Sequence, residues 1–116
     1  MLETIDPLKR TVILKKDTWE NHIIVGNPEI IKNIHSVKNT IENPEVIYES
    51  STSPKRDVFF KKDSTSTKPY FYTKVIVEYN DDNIAGEVKT SFFSKEIKGG
   101  INDEKLKYIS FTNKLW

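Results

Sequence analysis

The sequence predicts an α+β fold in which an N-terminal strand and two helices pack on an antiparallel meander of strands, and three observations carry this. Ile30, Ile34, Val37 and Ile41 recur at helical spacing. Beyond Pro44 come segments rich in β-branched and aromatic residues. Clusters of turn-forming residues separate those segments, so neighbouring strands should pair antiparallel.

Taken in order, Lys9 to Lys16 reads as a strand around Thr11-Val12-Ile13-Leu14. Asp17-Thr18-Trp19-Glu20 has the form of a capping box opening a short helix that Gly26 would close. Asn27-Pro28-Glu29 is a second helix start, with a capping side chain, a proline at the first turn and an acid near the positive end. Asn43-Pro44 ends that helix, because the residue before proline is pushed out of the helical region. Strands are then expected at 45–50, 56–62, 70–79 and 87–94. Lys98-Gly99-Gly100 marks a break, and the tail 101–116 is apolar enough to dock as either helix or strand.

The chain has 116 residues and no cysteine, which suits a single domain, 1–116, able to bury a core without disulfides. Disulfides, thiolate nucleophiles and cysteine zinc sites are excluded, and two histidines cannot form a three-histidine zinc site. The expectation is therefore no metal and no cofactor. An acidic, polar N-terminus and the lack of a long apolar run point to a cytoplasmic protein with no membrane association. Net charge is +1, but Pro54 to Lys74 is locally basic and Glu78 to Glu87 acidic.

The residues left for chemistry are histidines, cations and hydroxyls. These suit RNA cleavage through the substrate's own 2′-hydroxyl, where the protein moves protons and stabilises phosphate charge. His22 is the candidate base or acid because imidazole titrates near neutrality; a helix-surface imidazole is the competing reading. If the hairpins are tight, Arg56, Ile76 and Thr90 fall near one cross-strand row, placing a guanidinium and a hydroxyl near one phosphate. A slip of one residue would replace Thr90 by Lys89 or Ser91, and a solvated strand-edge arginine is the bland alternative. Tyr70, Phe71 and Tyr72 beside Lys68 and Lys74 have the mixture found where bases stack and phosphates pair, although strand aromatics are core material first.

The order of the motifs Trp19-Glu20-Asn21-His22-Ile23, Asn27-Pro28-Glu29, Asn43-Pro44-Glu45-Val46-Ile47, Arg56-Asp57-Val58-Phe59-Phe60 and Val88-Lys89-Thr90 resembles prophage-borne nuclease domains of the barnase, EndoU, colicin and RelE-like ribonuclease superfamily. The resemblance spans about Val12 to Phe93. It implies helices on an antiparallel sheet and metal-independent RNA cleavage, with His22, Arg56 and Thr90 at the matching catalytic positions; Lys61, Tyr72 and Lys74 of the basic strand segment are the candidates for holding the substrate. RNA and a neutralising immunity or antitoxin protein are the partners it implies. Asn27 stands where relatives often carry a histidine, and asparagine cannot exchange a proton. A toxin-type endoribonuclease is thus the leading expectation, and a non-catalytic, phage-encoded module that binds protein or RNA is the alternative.

Overall fold

β-branched and aromatic residues form strands wherever the sequence concentrates them. In the computed structural model, which describes residues 1–26, 34–62 and 72–110, the strands are β1 (Leu2–Ile5), β2 (Thr11–Leu14), β3 (Val46–Ser50), β4 (Arg56–Lys62), β5 (Tyr72–Tyr79), β6 (Ala85–Ser94) and β7 (Ile101–Ile109). They build one seven-stranded sheet in the order β1-β2-β6-β5-β4-β3-β7. All pairings are antiparallel except β2 with β6, which is parallel. The expected meander is β3 to β6. The flanking hairpin β1–β2 and the return of β7 beside β3 are additions to it.

Helix α1, residues 16–26, starts as an α-turn at Lys16–Thr18, widens into a π-turn at Trp19–Ile23 and ends at Ile24–Gly26. The wide turn closes with the Ile24 N–H donating to the Trp19 carbonyl, and Trp19 and Ile23 are both buried. The capping box is not formed. β2 delivers the chain into the helix early, so Lys15 is the N-cap without a side-chain bond, and Asp17 instead accepts from Asn21 Nδ2 at 2.6 Å. Helix α2, Ile34–Glu42, buries Val37, Thr40 and Ile41 and ends before Pro44 as expected. The start signal at Asn27-Pro28-Glu29, with Ile30, lies outside the described residues, as do Lys68, Tyr70 and Phe71.

Side chains alternate across a strand, and the central strands bury both sets. On the first face, Val12, Leu14, Ile47, Phe59, Val75, Val77, Tyr79 and Val88 pack with Trp19, Ile23, Val37 and Ile41 of the helices. On the second face lie Val46, Val58 and Phe60, with Tyr48, Tyr72, Ile76, Ile97, Ile101 and Ile109 against them. Gly86 permits close packing on the first face, since a Cβ there would sit 2.6 Å from the Tyr79 ring.

Because β6 and β7 lie four places apart, the connection 95–100 must cross the second face. Lys74 anchors this strap. Its ammonium donates to the carbonyls of Gly99 at 2.7 Å and Lys98 at 3.2 Å, between the rings of Phe60 and Phe92. Lys74 was expected to hold substrate; its side chain is instead buried under the chain's own crossover.

Burial holds the Lys74 ammonium below the usual lysine range. The unfolded chain therefore binds that proton more tightly, and stability should rise as pH climbs toward the ordinary lysine value of 10.5. Urea midpoints measured from neutral pH to pH ~10 should increase for the wild type relative to Lys74→Met, whose position 74 does not titrate. A constant difference between the two would contradict this burial account.

Candidate interaction site

The strand registers show where the expected catalytic groups go. Arg56, Val58 and Phe60 share the second face; Val58 lies opposite Ile76, and Ile76 opposite Thr90. The row is therefore Val58–Ile76–Thr90, and Arg56 sits two residues further along, opposite Glu78. Arg56 Nε donates to Glu78 Oε1 at 2.9 Å, which holds the Glu78 carboxyl below its usual range. His22 is exposed on α1, the helix whose Trp19 and Ile23 pack on the first face. The sheet thus stands between the imidazole and the Arg56–Thr90 pair, and the three groups do not converge on one phosphate.

The expected substrate residues are divided as well. Lys61 lies on the helix-covered face with Phe59, while Tyr72 packs into the second cluster and Lys74 is under the strap. Tyr72 pairs with Lys62 at the far end of β4 from Arg56, roughly 20 Å away at the rise of a strand. Lys55 is paired with Asp81 at 2.8 Å and Arg56 with Glu78 at 2.9 Å, so two cations of the basic segment have acidic partners within the fold. Among the described residues, no group of three or more histidine, aspartate or glutamate side chains could hold a metal ion. No described helix is long and apolar enough to cross a membrane.

What the sequence reading did not find is a buried ionic cluster at one end of the first face. The loop between β1 and β2 folds inward, and Asp6 and Arg10 are both buried. Arg10 Nε donates to Asp6 Oδ2 at 2.7 Å, and Nη1 donates to Asp57 Oδ2 at 2.7 Å and to Asn83 Oδ1 at 3.0 Å. The guanidinium carbon lies 3.7 Å from the centre of the Tyr79 ring. The Tyr79 hydroxyl donates to Asp6 Oδ2 at 2.7 Å, and burial raises its pKa far above the tyrosine range, which keeps it a donor. Lys107 Nζ lies 2.8 Å from Asp57 Oδ1 as an ion pair without hydrogen-bond alignment. The order Lys107, Asp57, Arg10, Asp6 alternates in sign from β7 to the N-terminal hairpin.

This cluster fixes two loop tips. Leu8 in the β1–β2 loop and Ile84 in the β5–β6 turn are 39% and 61% exposed, and Ile5 at the end of β1 is 58% exposed. Thr11, the register partner of Ile5, donates its N–H to the Ile84 carbonyl at 2.9 Å. Ile5 and Ile84 thereby flank one residue, and Asp6, Arg10 and Asn83 hold the loops beneath them.

The two edge strands differ. β7 meets β3 with two register shifts and carries Asp103, Glu104, Lys105 and Lys107, features that blunt an edge. β1 pairs with β2 in unbroken register. The Asp6 N–H donates to the Arg10 carbonyl; by the alternation of an antiparallel ladder, Thr4 also faces β2, while Glu3 and Ile5 turn their N–H and C=O groups outward. Along this edge lies a cleft of about 560 Å³ lined by Glu3, Thr4, Ile5, Thr11, Glu42 and Asn43, and near the start of β1 a second of about 310 Å³ bordered by Met1, Leu2, Glu3, Ile13, Leu14 and Lys15. Comparison with protein-family models, curated proteins and solved structures gives no match for this chain.

Replacing Arg10 by methionine leaves Asp6 buried without its cation and Asp57 with Lys107 alone, a change expected to cost about 3–5 kcal/mol. Urea unfolding should show that loss in Arg10→Met. A loss below about 1 kcal/mol, the size of a surface pair, would mean that the cluster does not hold the loops.

Proposed function

We propose that this chain is a non-catalytic, cytoplasmic module that binds a partner protein through the β1 edge. The observation that carries the reading is the edge itself: a regular terminal strand with outward backbone groups at Glu3 and Ile5, beside exposed apolar side chains on loops pinned from beneath. Strand addition to such an edge gains main-chain hydrogen bonds along the backbone and takes its specificity from the flanking side-chain pockets. Rigid loop tips lower the ordering cost of docking.

The separation of His22 from Arg56 and Thr90 weighs against proton transfer and phosphate binding at one place. The internal pairing of Arg56, Lys55 and Lys74 weighs against a basic RNA groove. Incubating pure protein with total RNA in EDTA should leave the RNA intact, with no salt-dependent shift of a labelled transcript. Cleavage leaving 2′,3′-cyclic phosphate ends, abolished by His22→Ala, would overturn this reading and restore the nuclease.

A further inference from the structure

Resting on the reading that the β1 edge binds protein, we infer which protein docks there: a second copy of this chain, its own β1 running antiparallel about a two-fold axis at Thr4. The outward backbone groups belong to Glu3 and Ile5. In this pairing Glu3 lies opposite the partner's Ile5, Thr4 opposite the partner's Thr4, and Ile5 opposite the partner's Glu3. Each Glu3 and Ile5 so opposed exchange both N–H and C=O groups, which gives about four main-chain hydrogen bonds across the axis. The cleft of about 560 Å³ beside β1 leaves the edge open to an incoming strand.

The exposed apolar side chains lie where this pairing covers them. By the alternation of the strand, Met1, Glu3 and Ile5 point to the face away from the helices. Met1 and Ile5 are both exposed there. The partner's Met1 and Ile5 become the diagonal neighbours of Ile5, about 7–8 Å away and within reach of long side chains. Met1 itself falls opposite the partner's Pro7, next to Leu8, the third exposed apolar residue of the hairpin. Surface that one chain leaves in water is thus buried by its own copy.

Charge selects the register. A shift of two residues one way sets Glu3 directly against the partner's Glu3, a repulsive pair. A shift the other way sets Ile5 against the partner's Ile5 and keeps about half the hydrogen bonds. On the helix side the two Glu42 carboxylates approach the axis. Each already accepts from the Thr4 hydroxyl of its own chain and lies 3.8 Å from its own Lys38, which offsets their repulsion.

The unlike edges limit the assembly to two chains. β7 is charged and meets β3 with two register shifts, so it offers no regular edge from which copies could continue. β1 against β1 uses the same surface on both copies and closes on itself.

Sedimentation equilibrium of the full chain should show a concentration-dependent rise from 13.5 kDa to twice that mass. Ile5→Glu sets a carboxylate against the partner's Glu3 and Ile5→Lys sets an ammonium there, and both change only an exposed side chain. The first should dimerise about tenfold more weakly than the second. The chain has no cysteine, so single cysteines report the register. Opposed Thr4 positions lie about 4.5 Å apart between Cα atoms, within disulfide reach, whereas the two Glu3 positions are diagonal at about 7–8 Å. With diamide, Thr4→Cys should form a disulfide-linked dimer much faster than Glu3→Cys, and circular dichroism checks that each variant is folded.

A dimer weakened equally by Ile5→Glu and Ile5→Lys, or cross-linked faster at Glu3→Cys, would overturn the inference. A monomer at every concentration that leaves RNA intact overturns it alone and gives the edge to a different protein. RNA cleavage in EDTA removes the protein-binding reading itself.

Discussion

The guanidinium of Arg10 ties together three stretches of chain that are far apart in sequence: the loop holding Asp6, strand β4 at Asp57 and the turn at Asn83. β2 meets β6 through only three paired residues, Thr11 to Ile13, a short parallel ladder to carry a whole hairpin. The packing of Val12, Leu14 and Leu2 under the helices and the ionic cluster at the loop end add to that attachment. A buried cation is stable only while its anions stay fixed, so the hairpin, β4 and the β5–β6 turn hold one another in place.

That constraint shapes the surface. The helices cover one face of the sheet and the Lys74-anchored strap crosses the other, so the central strands bury both sets of side chains. The sheet then ends in two unlike strands. β7 is bulged and charged, and Lys107 turns back to Asp57. β1 is regular, and its outward groups lie beside loops that Arg10 keeps in position. The binding role we propose rests on that ordered edge, and His22 lies across the sheet from Arg56 and Thr90.

Strong local patterns were readable in the sequence. The stripe Ile34, Val37, Ile41 and the β-rich segments of β3 to β6 announced themselves by period and composition, and Arg56–Lys62 matches its expected bounds. β1 gave little signal, having four residues, Leu2-Glu3-Thr4-Ile5, with no two-residue apolar period. The tail was ambiguous because the bulges of β7 break the two-residue period that would mark a strand. The register of Arg56 missed by two residues, since hairpin pairing depends on loop geometry that composition does not fix. Arg10 and Asp6 were legible only as a charged pair four apart around Pro7. The clearer clue was Asp57, an acid directly before the apolar run Val58-Phe59-Phe60, which when buried requires a cation brought from elsewhere in the fold.

Native-state amide hydrogen exchange tests this account most directly. If Arg10 makes the N-terminal hairpin part of one cooperative unit, the amides of Thr4 and Asp6 should exchange as slowly as those of β4 and β5, through global unfolding, while Glu3 and Ile5 exchange fast. Thr4 and Asp6 exchanging much faster than β4 and β5 would mean that the hairpin opens on its own and that the Arg10 cluster is not what positions the edge.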